Sequence, residues 1–335
     1  MVRFFTRGKG PDRKVIPITE KKVEAGIRDP RIMETLKFQE ASKQELEKLA
    51  RDELKRIAEM DDVEQLMINL KQYAGLLGKF SAYNSILITK QDPNATRVMS
   101  KKDWERLGYK LRKNAAPIAV LVPYGVPAKY SDAKIAKAIE RMREQGHSEE
   151  YIMSKINEML KKNEKKYRTN VFGVGRVYDA KSVKGNVPPE EHYKNSVLYE
   201  AMKRGAMSKF RVEESTLADA RGITQNHGER IVVMKVPNES KEPLNTLAHE
   251  MSHAILKHDY SKQPRWEVEA EAELSAFLVL AHYNVDFEKE AGAYIKGWVR
   301  NRHLSEESID RAANAARQII ELTDAELTKQ SEWKK

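Results

Sequence analysis

Apolar residues in this chain fall into blocks of helical spacing separated by short runs of strand alternation. Between residues 32 and 74, Ile32, Leu36, Phe38, Leu46, Leu49, Ile57, Leu66, Ile68, Leu70 and Tyr73 follow helical spacing, broken at Asp61-Asp62, which predicts two or three helices. Ser81 to Ile88 reads as a helix ended by Pro93-Asn94, Lys101 to Leu107 as a short helix, and Ile118 to Val122 as a strand stopped by Pro123. Residues 131–167 form two charged amphipathic segments separated by Gly146, a helical hairpin inserted between strand-like runs. Val171 to Tyr178 alternates as a strand, and the turn-rich residues 186–191 mark a domain boundary. Beyond it come a helix, an irregular stretch around Thr224 to Gly228, and the clearest strand of this half, Glu229 to Val236. Long helical patterns cover 243–258 and 265–285, followed by a helix ending near Arg302 and another from about Ser305 to Leu322.

The pattern predicts an α+β protein with a flexible basic arm over 1–30, a mixed domain over 31–190 carrying the insertion 131–167, a mainly helical domain over 191–325 and a charged tail over 326–335. Hydrophobic residues make up 40% and charged residues 33% of the 335 positions. No apolar run approaches the ~20 residues of a membrane span, and the opening residues lack an apolar segment followed by a cleavage site, so a cytoplasmic protein without membrane partners is expected. Cysteine is absent, which excludes disulfides and thiolate metal sites.

Charge separates the two halves. Residues 1–190 hold 39 Lys or Arg against 26 Asp or Glu, a net of +13, whereas the rest carries a net of −3. Within the basic half, Lys79, Tyr83, Arg97, Lys101, Lys102, Lys110, Arg112 and Lys113 interleave with Phe80, Trp104 and Tyr109. Cations that reach phosphates beside aromatic rings that stack on bases make a single-stranded nucleic-acid surface.

The acidic half carries the chemistry. His249-Glu250-Met251-Ser252-His253 is an H-E-x-x-H pattern within a helical run, which places two imidazoles one turn apart on one face, with Glu250 at its edge as general base. Asn245 or Thr246 would cap that helix. A catalytic zinc takes three protein ligands and keeps a position open. Glu267, Glu269, Glu271 and Glu273 enter the next apolar helix in two stripes, Glu267 with Glu271 and Glu269 with Glu273. Glu269 is the preferred third ligand, with Glu273 accepting a hydrogen bond from a ligand histidine; Glu271 is the alternative ligand. Asp259 is a weaker alternative, and His258 reads as a surface or capping group. The expected reaction is amide hydrolysis, with Tyr283, Tyr294 and His282 as candidate oxyanion donors and the strand at 229–236 placed to pair with extended substrate.

The stretch FSAYNSILITKQDPNATRVMSKKDWERLGYKLRKNAAPIAVLVP, then FGVGRVYDAKSVKG, LAHEMSHAILKH, WEVEAEAELSAFL and AGAYIKGW, resembles the ArdC-type antirestriction proteins over most of residues 60–320. The resemblance implies a single-stranded-DNA-binding N-terminal domain joined to a zincin-like, gluzincin-related metallopeptidase domain; the expected role is to shield incoming DNA or to cleave a DNA-associated protein. Its metal-binding residues match His249, Glu250 and His253, and its E-x-x-A-[E/N] helix matches Glu269 to Glu273, supporting Glu269 as ligand. The Y-I-x-G-W tyrosine and tryptophan match Tyr294 and Trp298, read as architectural. The chain departs from that pattern in the insertion 131–167 and in Ala254 to Lys257, where many relatives have a Trp-Thr-Gly-His-like stretch. A non-catalytic DNA-protecting protein with a structural zinc is the alternative.

Overall fold

A computed structural model describes residues 3–7, 14–18, 38, 41–123, 132–147, 151–152, 154–156, 158, 172–188, 192–215, 221–225, 228–234, 242–300 and 302–332. Helices dominate and three small sheets accompany them, the α+β class expected. Two compact units are distinguished, Met1–Ala119 with Arg176–Lys335, and Val120–Gly175.

In the first unit, β1 (Arg3–Arg7) and β2 (Lys14–Ile18) pair antiparallel, so the segment read as a flexible arm contains a hairpin. Ser42 starts α1 (Lys43–Ala58) with a capping box in which its hydroxyl accepts from the Glu45 backbone and the Glu45 carboxylate returns the bond. Asp62 caps α2 (Val63–Ala74), so the acidic pair that breaks the apolar pattern is a helix start. Ser81 caps α3 (Ala82–Gln91). Glu53 ties these three helices: it accepts from Arg56 at 2.6 Å, from Tyr73 at 3.2 Å and pairs with Lys90 at 2.9 Å. The short β3 (Val98–Ser100) leads into α4 (Lys101–Arg106), whose Trp104 is fully buried and donates from its indole to Tyr178 O at 2.8 Å.

Strand β4 (Ile118–Pro123) enters the second unit and β5 (Phe172–Asp179) leaves it, in a sheet ordered β3-β5-β4. Within this unit, a Cβ on Gly175 would come 2.5 Å from Val122 Cγ1, so a side chain there has no room. The first arm of the expected hairpin is α5 (Asp132–Glu144), and Gly146 turns the chain at φ +74°. Most of the second arm, including its basic end at 161–168, lies outside the described residues.

The remaining elements of the first unit are α6 (Asn195–Met207), β6 (Arg211–Ser215), β7 (Gly222–Gln225), β8 (Arg230–Met234), α7 (Glu242–Leu256), α8 (Arg265–His282), α9 (Glu288–Val299) and α10 (Glu306–Glu332). One apolar core takes Leu54, Met67 and Ile86 from the first three helices together with Met202, Leu247, Phe277, Ile295 and Ile319 from the last five. Helix α10 runs on to Glu332, into the residues read as a charged tail, and Thr323 and Leu327 continue its buried face. The irregular stretch expected at 224–228 begins as strand β7 instead.

Candidate metal centre

Helix α7 begins at Glu242, before the residues expected to cap it, and Asn245 lies within its first turn. His249, Glu250 and His253 follow on the helix that the H-E-x-x-H spacing requires, and α8 packs beside it. The contact is close because small groups meet: the Ser252 hydroxyl lies 2.7 Å from Ala248 O and 2.8 Å from Ser275 Oγ, all buried. Glu269, Glu271 and Glu273 are carried inward by α8 and are buried, with Glu269 and Glu273 lining the cleft and Glu271 away from it.

His249, His253 and Glu269 bring their donor atoms within 4.8 Å of one another and can hold a metal ion. His249 Nε2 lies 3.0 Å from His253 Nε2, and Glu269 Oε2 lies 3.4 and 3.7 Å from the two nitrogens. Ligands at the ~2.0–2.1 Å typical of zinc in a tetrahedron are about 3.3 Å apart, so these edges describe three corners of such a shell.

Each donor is oriented from behind. His249 Nδ1 lies 3.1 Å from Glu273 Oε2, and the other Glu273 oxygen accepts from Asn245 Nδ2 at 3.4 Å. His253 Nδ1 meets His258 Nδ1 at 2.7 Å, and His258 Nε2 meets Glu271 Oε2 at 3.1 Å. Glu271 is in turn paired with Arg311 of α10. Protons on His249 Nδ1, His253 Nδ1 and His258 Nε2 satisfy both chains and leave the two ligand Nε2 atoms as lone pairs facing the shared centre. The Tyr260 hydroxyl donates to Glu269 Oε1 at 2.9 Å, which leaves Oε2 for the centre.

Charge fits a cation at this point. Burial disfavours charge on both imidazoles, but hydrogen bonds to Glu269 and Glu273 outweigh it at His249, raised to about 10, while at His253 burial prevails and the ring is pushed down to about 4. A single proton on His249 thus answers the carboxylates around it, and a divalent ion answers them more fully. Burial opposes ionisation of Glu269 as well, yet hydrogen bonds from His249 and His253 hold its pKa below the usual carboxylate range.

Glu250 is the buried carboxylate next to this centre. The Thr224 hydroxyl of β7 lies 2.6 Å from Glu250 Oε2 and 2.9 Å from its carbonyl oxygen, orienting the side chain. Burial raises the Glu250 pKa, and His249 and Thr224 oppose that shift. Strand β7 approaches this closely because Gly222 has no side chain: a Cβ there would meet Glu250 Cγ at 2.7 Å and Thr246 Cγ2 at 2.8 Å. The cleft above the centre has a volume of about 690 Å³ and is lined by Gly222, Ile223 and Thr224 of β7, and by Tyr260, Arg265 and Tyr294.

Several expectations are corrected. The alternative ligand Glu271 points away from the centre, because α8 places it on the stripe facing His258 and Arg311. His258 is buried beneath the site rather than at the surface, its side chain 3% exposed. Asp259 pairs with Lys262 and Ser261. Tyr283 donates to Asp324, and His282 lies against Ala74 O, so neither faces the cleft; Tyr294 does. Strand β8 is the middle of the sheet β6-β8-β7, with both edges used, so among the described residues the edge strand at the cleft is β7. Sequence reading missed Thr224, Tyr260 and the partnership of His258, since four residues without alternation do not announce a strand.

The basic candidates are dispersed. Lys101, Lys102, Lys110, Arg112 and Lys113 are exposed, with Lys101 3.7 Å from Glu105 and Arg112 donating to Val183 O at 2.8 Å. Lys79 and Arg97 line a cleft of about 370 Å³, and Arg97 also donates to Pro188 O at 3.2 Å. Tyr83 packs half-buried against the core, and buried Trp104 meets Tyr109 edge to face at 5.6 Å, so Trp104 cannot stack on a base.

No family model matches the chain. An uncharacterized protein of Bacillus anthracis, pXO2-81, is 22% identical over 317 aligned residues, covering 88% of this chain and 54% of its own length, so the chain spans about half of the curated relative it matches. Among solved structures, the Mn(II)-bound antirestriction protein ArdC of plasmid R388 is 15% identical, with 74% of this chain and 84% of that chain covered at a TM-score of 0.37. Its metal-free form is 13% identical, with 81% and 99% covered at a TM-score of 0.39. Among the described residues, no helix is long and apolar enough to cross a membrane.

Proposed function

We propose that the chain is a zinc-dependent peptide hydrolase coupled to a single-stranded-DNA-binding region, an ArdC-like antirestriction protein. The observation that carries the catalytic part is the arrangement of His249, His253 and Glu269 at tetrahedral spacing on the floor of an open cleft, with Glu250 beside them. Zinc held by those three side chains would acidify a water and polarise a carbonyl. Glu250 accepts the proton of the attacking water and delivers it to the leaving amine, and its raised pKa suits a group that must both take and return a proton. Thr224 keeps that carboxylate on the cleft side. The edge strand β7 offers backbone groups to an extended peptide.

The DNA-binding part rests on the +13 charge of residues 1–190 and on the exposed Lys101, Lys102, Lys110, Arg112 and Lys113. The DNA-associated protein that such a region would bring to the cleft is the proposed substrate.

The test compares the zinc-loaded full chain with Glu250→Gln. The proposal expects cleavage of a casein or proteome-derived peptide pool by the wild type, loss of at least a hundredfold in the variant, and unchanged zinc content. Protection of DNA against restriction that is equal in both, with no cleavage by either, would instead assign the chain the non-catalytic role with a structural zinc.

A further inference from the structure

Beyond the metal, the cleft wall formed by Tyr294 and Trp298 is shared with a second groove of about 420 Å³. Helix α8 lines it with Trp266, α9 with Tyr294, Gly297 and Trp298, and the residues after α9 with Arg300 and Arg302. Tyr294 is 45% exposed, and a Cβ on Gly297 would face open space, so this side of the groove is accessible.

One guanidinium of this groove is stacked on a ring: Arg302 lies over Trp266 at 5.3 Å from the ring centroid. Arg265, over Trp298 at 5.7 Å, lines the metal cleft instead and pairs with Glu269 at 3.8 Å. A ring beneath a guanidinium fixes its plane and leaves N–H edges for a carboxylate, which they bind in pairs. Arg300 adopts φ +52° with ψ −109°, a conformation that costs a non-glycine residue energy and that recurs where a side chain is held for function. Among the described residues, no acidic side chain lines this groove, whereas the metal cleft carries Glu250, Asp259, Glu269 and Glu273.

That charge pattern selects the occupant. A nucleic-acid strand running through both would bring phosphates against the carboxylates of the metal cleft. A peptide can be neutral at the scissile bond and acidic a few residues away. Resting on the peptide-hydrolase reading of the metal site, we propose that the groove is a specificity subsite for a peptide carboxylate, with Arg300 and Arg302 as its binding residues and Tyr294 and Trp298 as its apolar wall.

The test uses the zinc-loaded full chain carrying Glu250→Gln, and fluorescence anisotropy with randomised octapeptide pools that differ in one fixed residue, Glu, Gln or Lys, each with free or amidated C-terminus. A charge-assisted pair predicts about tenfold or greater preference for Glu over Gln. The Arg300→Gln/Arg302→Gln double variant should bring that ratio to about one without changing zinc content, and Arg302→Lys should restore part of it. Preference that survives amidation assigns the carboxylate to a side chain; preference that follows the free terminus assigns it to the chain end. Equal binding of all pools by the parent chain overturns the subsite and leaves the peptide-hydrolase reading standing. Absence of binding by every pool to a zinc-loaded chain overturns both. Weakened oligothymidine binding in the double variant, with no peptide preference in the parent chain, would assign the groove to nucleic acid and overturn the proposal.

Discussion

Helix α8 carries two stripes of glutamate that meet opposite partners. Glu269 and Glu273 face the histidines of α7, where the donor atoms can hold a cation. Glu267 and Glu271 face α10, where Arg311 already supplies the charge, and Glu271 also accepts from His258. Burial alone would raise the Glu271 pKa; hydrogen bonds from His258 and Arg311 outweigh it and hold the group ionised. The same side chain on the same helix can thus hold a metal where its neighbours are imidazoles and is a structural anion where its neighbour is arginine. Buried carboxylates are placed by what can neutralise them.

The sharpest way to break the comparison is to remove one group from each stripe. An apparent zinc affinity of ~10–16 kcal/mol spread over the ligands makes loss of one of three worth on the order of a thousandfold, so Glu269→Ala should lower zinc affinity by about that factor in a chelator competition titration. Glu271→Ala should instead destabilise the fold by ~1–3 kcal/mol, the cost of leaving the buried His258 without its acceptor while half-exposed Arg311 keeps Glu267, read from urea unfolding of the metal-free protein. If the stripes were equivalent, both variants would change both quantities alike. Glu273→Ala and His258→Ala remove only groups behind the ligands, and each should weaken zinc by roughly 10- to 100-fold.

Glu53 sharpens the contrast from outside the site. The hydrogen bond from Arg56 lowers its pKa to about 2 despite burial, with Lys90 adding to the shift. Because the folded value lies below the ordinary 4.5, this group stabilises the fold above that pH and the stabilisation disappears as pH falls from 4.5 toward 2. Glu53→Gln should therefore be less stable than wild type near neutral pH, with the two converging in acid, as urea midpoints across that window will measure. The smallest effect expected is in binding to oligothymidine: converting Lys110, Arg112 and Lys113 to Gln should reduce the salt slope by at most about two to three phosphate contacts.

What the sequence made legible follows from the range of the interactions. H-E-x-x-H was readable because helix geometry alone sets the distance between His249 and His253. Two stripes on α8 were readable for the same reason, and so was Glu273 one turn beyond Glu269. The Glu269–Glu273 stripe was assigned to the histidines, but the partner of the other stripe was not readable, since Arg311 lies forty residues away and meets Glu271 only through the packing of α10. His258 looked like a surface group because the turn after α7, with Lys257 at φ +53°, folds it back beneath His253. Strand β7 escaped because its four residues owe their conformation to pairing with β8 and to the absence of a side chain at Gly222. Trp104 stands among lysines in the sequence, and core packing, the favoured reading for each aromatic taken singly, is what it does: the α4 turn directs it inward to Tyr178 O. The single core joining the first three helices to the last five likewise depends on contacts too distant in sequence for periodicity to reveal.

The most direct measurement is elemental analysis of the purified full chain after zinc reconstitution and exhaustive dialysis, paired with His249→Ala. The three-donor centre predicts close to one zinc per chain in the wild type and none retained in the variant. A wild-type chain that retains no zinc, or a variant that retains as much as wild type, would contradict it.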